Sequence, residues 1–99
     1  MSFRLVIHEE AYRELDEAER FIEARRSGYG RKFRAEVDAC LRFIQERPSG
    51  YAQRRGGFRY GSVARFPYRV IYQINEDVIF IAAFYHASRK PEGWSARRM

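Results

Sequence analysis

The most restrictive feature of this sequence is an apolar run near its C-terminus, "VIFIAAFY", from Val78 to Tyr85. Its β-branched and aromatic residues favour a strand. A strand with one face in the core and one in solvent would show a polar residue at every second position, and this run shows none. We therefore expect a central strand that is buried on both faces, with helices on one face and another segment over part of the other.

The N-terminal half has the periodicity of helices. A short strand is predicted from Phe3 to His8, and a helix from Glu9 to Ser27, because apolar residues recur there at steps of three and four. Gly28 should end that helix, and a second amphipathic helix should end by Arg47. Two helices of similar length with the short connection "SGYG" should pack as an antiparallel hairpin.

The period changes after the second helix. The segments Phe58–Phe66 and Tyr68–Ile74 are predicted strands, and "NED" is the turn into the apolar strand. The tail "PEGWSARRM" is compatible with a further helical turn. The resulting order is β-α-α-β-β-β. It predicts a single α+β domain, residues 1–99, in which a helical hairpin packs on a small, mainly antiparallel sheet.

The positive charge is concentrated in the second half of the chain. The net charge is +6, but residues 1–46 hold nine basic and ten acidic residues, whereas residues 47–99 hold ten and three. Arginine supplies 17 of the 19 basic residues, and guanidinium groups favour planar, bidentate recognition of carboxylate and phosphate. We therefore favour a recognition surface for nucleic acid or an acidic protein over a simple solubility role.

Several kinds of site are missing from the sequence. The single cysteine, Cys40, rules out an internal disulfide, suits a reducing compartment, and lies on an apolar helical stripe that favours a buried thiol. There is no glycine-rich phosphate loop and no cysteine pair for zinc, so we expect no metal and no cofactor. The N-terminal "MSFRLVIHEE" fits neither a signal peptide nor a membrane span. We expect a cytoplasmic protein that does not interact with membranes.

Two positions are candidates for chemistry. His86 ends the last strand and is followed closely by Arg89, Lys90 and Trp94, although a partly exposed strand end is the simpler interpretation of a lone histidine. Arg69 lies within an apolar strand, either on the open face of the sheet or as an anion-binding group on a rigid element. A two-residue turn would put Arg69 and His86 on the same face and a three-residue turn on opposite faces, and the sequence leaves both open.

Two motifs carry a resemblance to known proteins. They are "FPYRVIYQI" in the third strand and "YHASRKPEGW" after the fourth, the latter similar to the His-x-x-Arg-x-Pro-x-x-Trp ending of ParE-type sequences. With the element order and the basic composition, they make the chain resemble the RelE/ParE superfamily of bacterial type II toxin–antitoxin modules over nearly its full length, and the ParE branch more closely. The resemblance implies a growth-inhibiting toxin, neutralised by an acidic antitoxin encoded next to it.

The two branches imply different targets. RelE-like toxins are ribosome-dependent messenger-RNA endonucleases that use arginines, lysines and a late tyrosine. Arg69 and Arg89 match two of those arginines and His86 is a further candidate, but the lysines and the tyrosine have no counterpart. ParE-like toxins poison DNA gyrase by protein binding. We therefore expect gyrase poisoning rather than catalysis, with the endonuclease and an inactive, antitoxin-binding relative as alternatives.

The resemblance also suggests which residues bind partners. Target contacts are expected in the C-terminal motif, at His86, Arg89, Lys90 and Trp94. Antitoxin contacts are expected in the positive second half, at Arg59, Arg65 and Arg69, because an acidic and apolar antitoxin segment would complement it. Operator DNA is expected to bind only through the antitoxin, because the chain has no helix-turn-helix.

Overall fold

The computed structural model describes residues 3–89 and 93–99, and the statements below concern those residues. Strand β1 (Arg4–Ile7) precedes helices α1 (Glu9–Arg25) and α2 (Tyr29–Glu46), and three strands follow, β2 (Arg59–Ser62), β3 (Tyr68–Asn75) and β4 (Val78–His86). Single 3-10 turns occur at Pro48–Gly50, Arg55–Gly57 and Trp94–Ala96. The order β-α-α-β-β-β confirms the predicted α+β fold, and the last turn lies in the tail, where one was expected.

The four strands form one sheet in the order β1-β4-β3-β2. β4 pairs in parallel with β1 and antiparallel with β3, and β3 pairs antiparallel with β2. β4 is therefore central, and every residue from Val78 to Phe84 is at most 6% exposed. Both results confirm the interpretation of the apolar run. Neither of the two helices in the described part of the chain has an apolar stretch long enough to cross a membrane.

One carboxylate fixes the connection between the helices. The side chain of Glu23 accepts hydrogen bonds from the backbone N–H groups of Gly28 and Gly30, each at 2.9 Å. These bonds satisfy donors at the start of α2 that lack helical partners, and they lower the pKa of Glu23. Gly28 is left-handed, with φ of 88°, as predicted, but it caps the start of α2. The predicted end of the first helix at Ser27 is therefore wrong, since α1 ends at Arg25.

The predicted second strand also differs from the observed one. β2 spans only Arg59–Ser62 instead of Phe58–Phe66. The chain leaves the sheet after Ser62 because Arg65 adopts a left-handed conformation, with φ of 70°, and reverses direction into β3. The hydrophobic pattern alone did not indicate this turn, because apolar residues continue on both sides of Arg65.

Two apolar layers cover the two faces of the sheet. On the face toward the helices, termed the helix side, the helical stripes pack on the sheet; the buried residues there include Ala11, Leu15, Phe33, Val37, Ile44, Val70, Tyr72, Ile79, Ile81 and Phe84. On the opposite face, termed the tail side, a smaller layer contains Phe58, Ile71, Phe80, Ala82, Ala83 and Trp94. The second segment that covers β4 is thus the C-terminal tail, through Trp94.

A β-bulge in β4 changes which residues of this strand face the helices. Near the two-residue turn that joins β3 to β4, Tyr72 pairs with Ile81. One step further along β3, Ile71 pairs with Ala83, so Ala82 has no partner in β3. Odd-numbered residues of β4 face the helices before the bulge, and even-numbered residues do so after it. This switch is one reason why the apolar run shows no alternation.

A partly buried ion pair anchors the tail at the bulge. The guanidinium of Arg97 donates two hydrogen bonds to the carboxylate of Glu14 on α1, at 3.0 and 2.9 Å. Arg97 also donates to the carbonyl of Ala82 at 2.8 Å, and Glu14 accepts from the N–H of Phe84 at 3.1 Å. The pairing of β1 with β4 ends at Ile81. The ion pair therefore provides hydrogen-bond partners for the carbonyl of Ala82 and the N–H of Phe84, which lie beyond the end of β1.

The central position of β4 predicts the effect of one substitution. Ile81→Asp should abolish cooperative thermal unfolding, because an unpaired carboxylate at a fully buried site costs about 4 kcal/mol or more. Circular dichroism during heating measures this. Asn75→Asp is the matched control, since it adds the same carboxylate at an exposed strand end. A transition in Ile81→Asp at the temperature of the unmodified protein would contradict the central strand.

The ion pair between Glu14 and Arg97 can be tested by a double-mutant cycle. Glu14→Gln and Arg97→Gln should each lower the free energy of unfolding by about 1–3 kcal/mol, because each leaves a partly buried charge without its partner. Their combined effect should be smaller than the sum, with a coupling of at least about 0.5 kcal/mol. Urea denaturation measures all three variants. Arg13→Gln, which breaks only exposed pairs, should cost less than about 0.5 kcal/mol; additive losses at Glu14 and Arg97 would refute the coupling.

Candidate functional site

The bulge distributes the predicted site residues over two surfaces. Beyond Ala82, Arg69 pairs with Tyr85, and Tyr68 pairs with His86. Directly opposed residues of an antiparallel pair share a face. Arg69 and Tyr85 therefore lie on the tail side, and His86 lies on the helix side. The turn has two residues, which alone would have put Arg69 and His86 on the same face, and the bulge reverses that outcome.

On the helix side, the end of β4 and α1 form a groove of about 450 Å³. The ring of His86 packs edge-on against Tyr68, with centroids 5.2 Å apart. Its Nδ1 accepts a hydrogen bond from the N–H of Ser88 at 3.1 Å and lies 2.7 Å from the Ser88 hydroxyl. Arg89 is exposed at the same groove, whose other lining residues include Glu14, Glu17 and Phe21. Two of the four predicted target contacts, His86 and Arg89, are thus neighbours.

The polar side chains that line this groove include Tyr68, His86 and Arg89. Burial raises the pKa of Tyr68, and the nearby positive charge of Arg89 partly offsets that rise. Within the described residues, the hydrogen bonds of His86 go to Ser88 and not to a carboxylate. A histidine that acts as a general base is usually oriented by such a partner. Among the described residues, His86 therefore has Ser88 and no carboxylate as its hydrogen-bond partner.

The tail side carries a cluster of two arginines and two tyrosines, termed the arginine–tyrosine cluster: Arg54, Tyr60, Arg69 and Tyr85. Burial raises the pKa of Tyr85, the nearby Tyr60 adds to the rise, and Arg69 and Arg54 partly offset it. The guanidinium of Arg54 lies over the ring of Tyr60, 4.6 Å from its centroid. The cluster presents two positive charges to the open part of the sheet and can attract an anion.

Trp94 lies beside this cluster, inside the tail-side layer. It is 7% exposed and packs edge-on against Phe58, at 4.8 Å between centroids, and against Tyr60, at 5.8 Å. Its indole Nε1 is buried and has no hydrogen-bond partner among the described residues. The role of Trp94 as a target contact stays a prediction, but little of the surface of this side chain is available for such a contact. Lys90, the remaining predicted contact, lies outside the described residues.

A second pocket, termed the tail pocket, opens next to Trp94. Its volume is about 410 Å³, and it is lined by Arg55, Gly56, Phe58, Tyr60, Gln73, Trp94, Ser95 and Arg98. The sequence interpretation did not identify it. The doublets Arg54–Arg55 and Arg97–Arg98 are visible in the sequence, but the return of the tail across the sheet is what brings one arginine of each, Arg55 and Arg98, to one pocket.

The three arginines predicted to contact an antitoxin do not form one surface. Arg59 faces the helix side and donates to the carbonyl of Tyr51 at 2.6 Å. Arg65 lies exposed in the turn before β3, 3.8 Å from a carboxylate oxygen of Glu36. Arg69 lies on the tail side. Their roles in antitoxin binding stay predictions, and they would require a partner that wraps around the sheet.

The alternative catalytic residues are also separated. Arg69 lies across the sheet from His86 and from the groove that Arg89 lines. Cys40 is the predicted buried thiol, and burial raises its pKa to about 11, which keeps it protonated at neutral pH. Among residues 3–89 and 93–99, no group of three potential ligands could hold a metal ion.

Comparisons with known proteins identify the family of the chain. The family model described as "ParE toxin of type II toxin-antitoxin system, parDE" matches residues 5–91. No curated protein matches the sequence significantly. A chain from the structure titled "Chromosomal ParDE TA system from P. aeruginosa" is similar in fold, with a TM-score of 0.75 and 15% identity over 87% of this chain and 97% of that chain. The structural likeness shows the fold alone, whereas the family match covers most of the sequence, and the chain therefore belongs to the family of ParE toxins of type II toxin–antitoxin systems.

Proposed function

We propose that this ParE-type toxin acts in the cytoplasm, poisons DNA gyrase by binding it, and is neutralised by an acidic cognate antitoxin. The observation that carries the choice of gyrase is the position of Arg69 across the sheet from His86 and Arg89. Cleavage of a phosphodiester requires charged and proton-transfer groups that converge on one phosphate. Protein binding has no such requirement, and separate contact surfaces are compatible with it.

The proposed target surface is the groove between α1 and the end of β4. Arg89 is exposed there, and His86 of β4 and Tyr68 of β3 provide aromatic surface on two paired strands. Arginine and aromatic residues dominate the binding energy of protein interfaces when they lie near the centre. Lys90 follows directly in the sequence and would extend this surface. Trp94 contributes by holding the tail against the sheet.

The proposed antitoxin contacts draw on the charge of the second half of the chain. Arg69 with its cluster and the exposed Arg65 present positive charge on different sides of the sheet, and Arg59 lies at the edge strand β2. An extended acidic and apolar segment, ordered on binding, could follow these positions. Operator DNA would then be contacted by the antitoxin, with the toxin held beside it.

One observation favours messenger-RNA cleavage as a second candidate. The arginine–tyrosine cluster brings two guanidinium groups and two phenols together on the tail side, and guanidinium groups stabilise charge on a scissile phosphate. However, a tyrosine phenol is ordinarily protonated at neutral pH, and burial raises the pKa of Tyr85 further, so this phenol is a poor general base there. The cluster therefore supports phosphate contact more than catalysis.

Expression of the toxin tests the proposal at the level of the cell. Production of the chain alone in a bacterium should arrest growth, and co-expression of an acidic protein encoded next to it should restore growth by forming a tight complex. Colony counts and co-purification measure the two effects. Ile81→Asp, which should not fold, controls for the burden of expression. Normal growth with soluble, folded toxin would favour the inactive relative that only binds antitoxin.

Purified protein separates the two activities. The toxin should inhibit DNA supercoiling by gyrase and leave messenger RNA on programmed ribosomes intact. If Arg89 is central to the interface, Arg89→Ala should weaken gyrase binding by about 2 kcal/mol, which is about 30-fold. Arg42→Ala is the matched control, because Arg42 is exposed on the outer face of α2. Arg69→Ala should retain gyrase inhibition.

The endonuclease reverses these expectations. In that case Arg69→Ala would abolish cleavage through lost charge stabilisation and would leave ribosome binding largely intact. Ribosome-dependent cuts at defined codon positions, together with normal gyrase activity, would overturn the choice of gyrase.

A further inference from the structure

The tail pocket is lined by hydrogen-bond donors. Arg55 and Arg98 contribute guanidinium groups and Gln73 an amide that also donates to the carbonyl of Gly56 at 3.2 Å, and no described acidic residue lines the pocket. Arg98 uses only Nη1 to reach two backbone carbonyls, at 3.0 and 2.9 Å. Within residues 3–89 and 93–99, its Nε and Nη2 make no hydrogen bond and can donate to a ligand. A pocket with donors and without acids is suited to an anion.

The aromatic walls of the pocket decide between two classes of anionic partner. Arg54 covers a face of Tyr60, while Trp94 and Phe58 pack edge-on and are only 7% and 3% exposed. Single-stranded nucleic acids bind largely by stacking bases on exposed ring faces, and these faces are covered. A carboxylate needs only donors, and a guanidinium can bind it through two parallel hydrogen bonds. The pocket therefore favours a carboxylate side chain over a nucleotide.

We propose that the tail pocket binds an aspartate or glutamate side chain of an acidic partner peptide. The identification of that peptide as a segment of the antitoxin rests on the proposed function. Charge complementarity supports this occupant, because residues 47–99 hold ten basic and three acidic residues. The tail pocket lies across the sheet from the groove at His86 and Arg89. A peptide segment bound in the pocket therefore does not cover the proposed target surface, and a different part of the antitoxin would have to cover it.

Trp94 makes the proposal directly measurable, since it is the only tryptophan of the chain. The full-length toxin is titrated with a hexaglutamate peptide whose ends are blocked, at about 0.15 M salt, where long-range attraction is screened beyond roughly 8 Å. The Trp94 emission should change and saturate. A blocked hexaglutamine peptide should leave the emission unchanged, and an equal response to both peptides would contradict carboxylate binding.

Matched variants localise the site. Arg55→Gln and Arg98→Gln should each raise the dissociation constant of the hexaglutamate peptide by about tenfold, because each removes a charged donor from the pocket. Arg42→Gln removes the same charge from the outer face of α2 and should change the constant by less than about twofold. Unchanged thermal transitions confirm that all three variants fold. Equal weakening in the three variants would mean general electrostatic attraction and would overturn the pocket.

Two further outcomes bear on the occupant. The first uses hexauridylate RNA as a competitor. If the RNA displaces the peptide, and its binding depends on Arg55 and Arg98 as strongly as that of the peptide, the choice of a carboxylate is wrong; failure of the RNA to compete supports the carboxylate.

The second outcome concerns Glu92, which precedes Trp94 in the sequence and lies outside the described residues. If Glu92→Gln binds the peptide about tenfold more tightly, a carboxylate of the chain itself occupies the pocket and the proposal is wrong; unchanged affinity supports a partner.

Failure of the pocket and failure of the proposed function give different results. If co-expression forms the complex and restores growth, but Arg55→Gln and Arg98→Gln bind the peptide as tightly as the unmodified toxin, only the pocket is wrong. If the toxin neither arrests growth nor forms a complex with its neighbour, the proposed function is wrong even where the peptide binds.

Discussion

The β-bulge at Ala82 is the constraint on which the arrangement of this protein depends. It adds one residue to β4, which puts Phe84 and His86 on the helix side. Without the bulge, both would lie on the tail side with Arg69. The bonds from Arg97 to the carbonyl of Ala82 and from the N–H of Phe84 to Glu14 lie at this point. The bulge and the position of the tail therefore stabilise each other.

This arrangement separates two kinds of surface. The helix side presents His86 and Arg89 beside the carboxylates of α1, in a groove of mixed charge. The tail side presents arginines, an amide and an indole without a described acidic neighbour. A toxin that acts by protein binding can use one such surface for its target and the other for part of a neutralising partner, whereas catalysis by Arg69, His86 and Arg89 would need all three on one of them. This separation is the observation on which the proposal of action by protein binding rests.

Much of the fold could be predicted from the sequence, because hydrophobic periodicity is a local property that survives folding. The unbroken run predicted a central strand correctly, but it could not reveal the bulge, since Ala82 and Ala83 are small, apolar and acceptable on either face. Trp94 looked like an exposed contact in an arginine-rich tail, and it is buried because the tail covers the second face of the sheet. Arg55 and Arg98 share a pocket only through that long-range return of the chain, which no local pattern encodes.

The most direct test of this arrangement is a measurement of cross-strand proximity by nuclear Overhauser effects in the isotopically labelled full-length toxin. Backbone protons of Arg69 should show contacts to those of Tyr85, and those of Tyr68 to His86, as the bulged register requires. Contacts from Arg69 to Phe84, with none to Tyr85, would show an unbroken ladder. That result would put Arg69 and His86 on one face and contradict the separation of the two surfaces.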